Sequence, residues 1–176
     1  MPQEATRPLL TEDDLRHITR WAALSAGRAL PVFEAVAADP RPRQAIAAAR
    51  AFAEGAPRST ALRKVGWGAQ AAAREIGDPA ARAAARAASA AAGAAYTHPI
   101  ETPHQINHVL APAAYAIQAL ASGADDEAAV MEKEVSLAIA AASPELRQIV
   151  RTMPGRKPSK GDFHALLYRL DVALRR

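Results

Sequence analysis

The chain of 176 residues contains no cysteine, which excludes disulfide bonds and thiolate metal sites. Aromatic residues make up only 5% of it, and the alternation of β-branched and aromatic residues that is typical of strands is missing. No secretory signal pattern opens the sequence, because an acidic residue and two prolines come before any apolar run. These absences predict a cytoplasmic protein built from helices.

Long apolar runs are also missing. The longest uncharged stretch, residues 87–100, is mostly alanine and is interrupted by Gly93, His98 and Pro99. It falls short of the roughly 20 apolar residues that a membrane-spanning helix needs, so we expect no membrane partner. The formal net charge of +4 is mild and dispersed along the chain, which disfavours nucleic acid as the partner.

What is abundant is alanine, at about a quarter of the residues. Alanine is the best helix former and adds little volume, so a core made of it requires many helices packed at close approach. We therefore predict an all-α fold, a compact alanine-rich bundle of about seven or eight helices. Residues 1–176 are expected to form one domain, with a loose N-terminal segment at 1–10 and a basic connector at 154–161.

Caps and breakers divide the chain into eight helices. Thr11 followed by Asp14 is a capping box, and Asp78 followed by Pro79 is a cap with a first-turn proline. The sequence DPRPR, residues 39–43, predicts a rigid turn. The first expected helix runs from Thr11 through Ala38 with a bend or restart at Pro31, and the second runs from that turn to about Glu54. The third runs from Ser59 or Thr60 to near Gly77, and the fourth from Pro79 to about Tyr96. The fifth follows an interruption at residues 97–105 and ends at Ser122. The sixth runs from Asp125 to about Ala142, the seventh from Ser143 to before Pro154, and the eighth from Asp162 to Leu174.

The third helix places a tryptophan between two glycines, Gly66 and Gly68, although each glycine costs about 1 kcal/mol relative to alanine. Trp67 shares a stripe with Arg63 and Arg74, away from the apolar face of the helix. Tryptophan flanked by arginine is the composition of a binding hot spot. Alternatively, Trp67 packs beneath a neighbouring helix of the same chain. Both interpretations predict that the glycines clear space around the ring.

The fifth helix has two distinct sides. His104, His108 and Tyr115 form one stripe, which we predict to be a polar pocket, an interface or a solvated face. The opposite stripe repeats apolar residues at helical spacing and predicts the buried side: Ile106, Val109, Leu110, Ala113, Ile117 and Leu120.

The histidine spacing also raises the question of a metal. His104 and His108 stand at i and i+4, and His98 or Glu101 would have to complete the set. The glutamate of an H-E-x-x-H motif is absent, because Gln105 occupies its position. We therefore predict neither a metal nor a cofactor.

Two further arginine positions are candidates. Arg82 and Arg86 on the fourth helix are like charges at i and i+4, and they repel unless an acid or an anion lies between them. They share a face with Ser89 and Gly93, which suits close packing of another helix. Arg43 on the rigid turn is a predicted pocket residue, because an arginine on a fixed backbone loses less entropy when it binds a carboxylate.

Several segments resemble one family. DPRPRQAIAAARAF, residues 39–52, is similar to the D-x-R-P-R-x-A-I-x-A-x-R-A run of the Imm-5-like immunity proteins. Weaker similarities lie at residues 21–22, 30–35, 71–75, 78–88, 113–120 and 146–150, so the resemblance covers about residues 15–150. The chain departs from the family at Gln70, where a histidine is usual, at Pro112, and through residues 97–107. The resemblance implies an alanine-rich helical antidote that binds and neutralises a cognate toxin.

We therefore predict an immunity-type protein that neutralises a toxin domain, or sequesters a ligand, by non-covalent binding; a homo-oligomer is compatible with the sequence. The sequence has no G-x-S-x-G motif and no paired carboxylates placed for acid–base work, which favours binding over catalysis. The alternative is a helical enzyme or small-molecule-binding protein of an actinobacterial biosynthetic pathway, with His104 or His108 as general base and Tyr115 as its partner.

Overall fold

The protein is described by a computed structural model, which covers residues 10–98, 102 and 104–176. These residues form eight α-helices and no strand, so the predicted all-α fold is confirmed. The helices are α1 (Glu12–Glu34), α2 (Arg41–Ala53), α3 (Thr60–Glu75), α4 (Pro79–Ala94), α5 (Gln105–Ala121), α6 (Glu127–Ala140), α7 (Pro144–Thr152) and α8 (Asp162–Arg175).

Most of the predicted helix starts are confirmed by their caps. Thr11 and Asp14 form the capping box of α1, and the Asp78 side chain accepts from the backbone N–H of Ala81. The prediction was wrong at two ends. Helix α1 ends at Glu34 rather than Ala38, and α2 already begins inside the supposed rigid turn, because a proline in the first helical turn lacks only an N–H that has no helical partner there.

Two of the expectations fall on positions that the structure does not describe. Most of the predicted loose segment 1–10 lies outside the described residues, although Leu10 itself is buried in the core. Residues 99–101 and 103, which belong to the predicted interruption before the fifth helix, also lie outside the described residues. Among the described helices, none combines the length and apolarity that crossing a membrane requires.

Helix α4 is the centre of the bundle, and it packs against α1, α2, α3 and α5. Its nine buried residues are all alanine, and they lie on more than one side of the helix. A helix that is apolar on all sides is typical of a core position. Because alanine has only a methyl group, four neighbouring helices can approach α4 closely without leaving voids.

Arginine side chains tie the helices together by donating to backbone carbonyls at helix C-termini. Arg20 on α1 donates to Ala53 O of α2 at 2.7 Å, and Arg16 donates to Ala56 O at 3.0 Å. The last carbonyls of a helix lack partners within it and carry partial negative charge, so a cation there is favourable. Three more arginines make the same kind of contact, to the ends of α3, α4 and α6 respectively: Arg82, Arg58 and Arg147.

The C-terminal helix is held by a buried carboxylate. Asp171 is 2% exposed, and it accepts from the backbone N–H of Arg156 at 2.8 Å and from Nε of Arg175 at 2.8 Å. The basic connector 154–161 is thereby attached to α8 at Arg156. Helix α8 packs beside α5, and Phe163 in its first turn stacks on Tyr115 of α5.

Candidate functional site

A cleft of about 470 Å³ lies between α3, α4, α5 and α8, and we name it the four-helix cleft. Helix α3 contributes Arg63, Trp67 and Gln70, and α4 contributes the face that carries Arg86. Its other principal lining residues are Ser89 and Gly93 of α4, Tyr96 just after that helix, Asn107, His108 and Tyr115 of α5, and Phe163, His164 and Leu167 of α8.

Trp67 stands at the edge of the cleft with 63% of its surface exposed. The alternative that it packs beneath a neighbouring helix is therefore excluded. Its flanking glycines differ in their packing. A Cβ on Gly66 would lie 3.3 Å from Ala92 Cβ, so the missing side chain allows the close approach of α4. A Cβ on Gly68 would lie 3.7 Å from Arg41 Cδ, which is an ordinary contact distance. That the glycines clear space around the indole ring stays a prediction.

The space beside Gly68 is occupied by an arginine that joins α2 to α3. Arg41 donates to Asp39 at 2.6 Å and also pairs with Glu75 at the end of α3. These hydrogen bonds hold the pKa values of both carboxyl groups below their usual range. The carboxylates are thus ionised together with Arg41, and the start of α2 is fixed against α3.

Two guanidinium groups in the cleft lie over tyrosine rings. Arg63 Cζ is 4.4 Å from the ring centroid of Tyr96, and Arg86 Cζ is 5.9 Å from that of Tyr115. Both distances are within the range of cation–π attraction. No aspartate or glutamate lines this cleft within the described part of the chain. The site is therefore electropositive, and its cations rest on aromatic surfaces.

The opposite wall combines aromatic and imidazole rings. Tyr115 stacks on Phe163 with their centroids 4.5 Å apart, which joins α5 to α8. Partial burial lowers the pKa of His108 below its ordinary value, and the nearby His98 and His104 rings act in the same direction. His108 is therefore neutral at physiological pH, when it can both donate and accept a hydrogen bond.

The structure brings together four of the seven predicted site residues: Arg63, Trp67, His108 and Tyr115. The other three do not line the cleft. His104 is exposed at the start of α5, and Arg74 is exposed and donates only to Gln70 O, at 3.4 Å. Arg43, predicted as a pocket residue, forms a bidentate ion pair with Glu34 at 2.7 Å.

The apolar stripe predicted for α5 is confirmed, with Leu120 alone partly exposed. The predicted face of α4 was expected to pack closely against another helix, but most of it lines the cleft instead. Ser89, Gly93 and Arg86 line the four-helix cleft, whereas Arg82 turns away and donates to Ile76 O.

Metal binding is a separate question for the histidines. Within residues 10–98, 102 and 104–176, no group of three or more histidine, cysteine, aspartate or glutamate side chains is placed to hold a metal ion. Glu101, one of the two residues considered for completing the set, lies outside the described residues.

Sequence reasoning missed the contribution of α8 and of Tyr96. Phe163 is one of the regularly spaced apolar residues of α8, so its position indicates only that it packs against something. Its partner, Tyr115, lies 48 positions earlier in the chain, and nothing in either local pattern indicates that contact. The sequence indicates only that Tyr96 lies near the end of α4. The contact of its ring with Arg63 depends on the packing of α3 against α4, which no local pattern predicts.

Comparison with known proteins gives one match. No curated protein and no solved structure matches the chain. The family described as Imm-5 like putative immunity protein matches residues 8–143, which contain α1 to α6. Helices α7 and α8 lie beyond the matched residues, and so does the weaker similarity at 146–150. Because the match spans more than half of the sequence, the chain belongs to the Imm-5 like putative immunity protein family.

Proposed function

We propose that the protein neutralises a toxin by non-covalent binding of a toxin domain across the opening of the four-helix cleft. Membership of the immunity protein family supports a protein partner. The observation that carries the proposal is the exposure of Trp67, which at 63% contrasts with 2% for Trp21, the other tryptophan. Tryptophan and arginine are both among the residue types that are enriched in binding hot spots.

The surface around Trp67 is also suited to binding because it is held in place before a partner arrives. Trp67 and Arg63 stand on α3, whose close approach to α4 is permitted by Gly66. Arg63 is further positioned over Tyr96, and that ring's hydroxyl donates to Ser59 O at the start of α3. Side chains that are already ordered lose less entropy on association, so more of the contact energy contributes to affinity.

The proposal is tested by expressing candidate toxin domains, taken from the genes beside this one, with and without the wild-type chain. We expect one of them to stop cell growth when expressed alone and to be tolerated when the wild-type chain is expressed with it. The double variant Arg63→Ala with Trp67→Ala should weaken binding, measured by calorimetry, by at least about 2 kcal/mol, the threshold of a hot spot.

Matched controls separate this surface from the rest of the molecule. Arg74→Ala removes the same charge from the same helix outside the cleft, and Leu24→Ala removes an exposed apolar side chain from α1. Both should retain protection and affinity. Unchanged affinity in the double variant, or equal loss in the controls, would show that the toxin binds elsewhere.

A second function has one specific observation in its favour. The cleft volume of about 470 Å³ falls in the range of small-molecule pockets, about 300–1,000 Å³. Sequestration or conversion of a small ligand would then use the cleft interior, with neutral His108 as a general base beside Tyr115. Under this function Tyr115→Phe and His108→Ala would abolish ligand binding or turnover, while Trp67→Ala at the rim would have a smaller effect.

A further inference from the structure

We propose that the segment of the partner that enters the four-helix cleft is an acidic peptide segment, whose carboxylates pair with Arg63 and Arg86 and which carries an apolar side chain against Trp67. This inference rests on the proposed function, since it names the chemistry of the toxin surface. It follows from how the arginines of this chain are used, from the sign of the charge in the cleft, and from the apolar surface beside the arginines.

Arginine has two different roles in this protein. Most of the arginines between helices donate to backbone carbonyls or carboxylates: Arg20 donates to the end of α2, Arg82 to the end of α3, and Arg28 to Glu134 at 2.6 Å. Arg63 and Arg86 differ from them. Within the described residues neither forms a hydrogen bond or an ion pair, and each lies over a tyrosine ring instead.

A guanidinium group held over an aromatic ring is oriented but not satisfied. A cation–π contact takes up none of the five N–H donors of the group, and within the described residues the side-chain donors of Arg63 and Arg86 have no acceptor. Those donors match the geometry of a carboxylate, which accepts two parallel hydrogen bonds from one arginine. Arg63 on α3 and Arg86 on α4 line the same cleft, so they offer two carboxylate positions to one bound segment.

The cleft itself carries charge of a single sign. The imidazoles of His108 and His164 add no negative charge, and the cleft lining in the described chain includes no acidic residue. Beyond Tyr96 the surface continues into a second depression that shares Arg63 with the cleft and adds Arg58 and His98. The acidic residue of that depression, Glu12, is paired with Arg16 at 2.6 Å.

The surface on the other side of Arg86 differs. The depression that shares Arg86 with the cleft contains Glu127 and Asp162. A bound acidic segment is therefore expected to run from Arg86 through Arg63 towards Arg58, where it meets positive charge.

An apolar component is needed as well as the acids. The exposed indole of Trp67 and the Phe163 ring stacked on Tyr115 present apolar surface inside a site that otherwise carries cations. Burying one large apolar side chain there would contribute free energy that purely electrostatic contacts in solvent do not. The expected occupant thus combines several acidic side chains with one large apolar side chain.

The family match favours a peptide over a nucleic acid as the occupant. The expected partner of an immunity protein is another protein. The formal net charge of +4 is also mild for a nucleic-acid binder.

The experiment uses the purified full-length chain and synthetic peptides, so that it does not depend on the toxin. A blocked peptide of eight glutamates around a central phenylalanine is titrated by calorimetry at low salt, and its glutamine counterpart is the control. We expect the acidic peptide to bind at least about tenfold more tightly than the glutamine peptide. Arg63→Gln and Arg86→Gln should each weaken binding about tenfold, the effect of losing one charge-assisted hydrogen bond pair. Arg74→Gln, with the same loss of charge outside the cleft, should change it less than about twofold.

Three outcomes would overturn the proposal. They are equal binding of the acidic and glutamine peptides, equal weakening by Arg74→Gln and the cleft variants, and tighter binding of a thymidine oligonucleotide than of the acidic peptide. If the wild-type chain binds the acidic peptide but protects against no toxin domain, the proposed function is contradicted and the cleft assignment stands. If the Arg63→Gln and Arg86→Gln variants lose peptide binding but still protect, the toxin segment does not enter the cleft. That result overturns this proposal and leaves toxin neutralisation in place.

Discussion

Two glycines of the cleft region, Gly66 on α3 and Gly93 on α4, show how different the role of the same residue type can be. A Cβ on Gly66 would lie 3.3 Å from Ala92 Cβ, a distance that requires the two helices to separate slightly. A Cβ on Gly93 would meet nothing within 4 Å. Only Gly66 is therefore required by packing.

This difference predicts opposite effects of enlarging the two residues. Gly66→Val should lower the free energy of unfolding by about 1–3 kcal/mol, because the added methyl groups overpack the contact between α3 and α4. Gly93→Ala should raise it by up to about 1 kcal/mol, because alanine favours the helix and has space. Urea unfolding of both variants measures the two changes. Stabilisation by Gly66→Val would contradict the close helix contact.

His108 predicts a dependence of stability on pH. Its pKa in the folded protein lies below the ordinary value of 6.5, so the unfolded chain takes up this proton more readily than the folded one. The free energy of unfolding should therefore fall as the pH falls through 6.5, and this contribution should become constant below the folded pKa.

The measurement is urea unfolding of the wild type and of His108→Gln at several values between about pH 5 and pH 8. The wild type should lose more stability than the variant as the pH is lowered. A parallel loss in both proteins would show that other groups are responsible.

At the scale of the helix, α8 provides one wall of the four-helix cleft, and this wall lies outside the residues of the family match. The matched residues end at 143, yet Phe163, His164 and Leu167 line the cleft. The attachment of α8 depends on Asp171, whose buried carboxylate accepts from the connector and from Arg175. Removal of that carboxylate would leave two buried donors without their acceptor.

Asp171→Ala is therefore expected to lower the free energy of unfolding by about 2–4 kcal/mol, the cost of two lost hydrogen bonds to a charged group. It should also make the connector 154–161 susceptible to protease and weaken binding of the acidic peptide. Limited trypsin digestion followed by mass spectrometry locates the cleavage. Asp162→Ala, an exposed position in the first turn of α8, is the control and should have a much smaller effect. Equal digestion of both variants would contradict the role given to Asp171.

The sequence predicts helices well here because each boundary has a local chemical cause. Thr11, Asp78 and Ser143 cap helices with their own side chains and were identified from neighbouring residues, while the choice between Ser59 and Thr60 was left open and the structure has Ser59. The cleft could be predicted only in part, since its walls come from positions far apart in the chain. Exposed residues such as Arg74 and His104 share a stripe with true lining residues, and only the packing of α4 and α8 separates them.

At the scale of the whole molecule, the net positive charge has two origins. Several arginines stabilise the bundle by donating to backbone carbonyls at helix ends, where a cation is favourable. Arg63 and Arg86 are placed in the cleft beside the exposed Trp67. The basic composition is thus mainly structural, and binding depends on a small part of it.

The central claim is that Trp67 lies in the contact with the partner. It is tested most directly by acrylamide quenching of tryptophan fluorescence in the free protein and in the complex with the toxin domain. A toxin domain without tryptophan, or with its tryptophans replaced by phenylalanine, is required. Trp21 is buried and bonded to Ala138 O, so Trp67→Phe reports the background from Trp21 alone. We predict that binding lowers the quenching of Trp67 towards that of Trp21. Quenching of Trp67 that stays unchanged when the toxin domain is saturated would contradict the account.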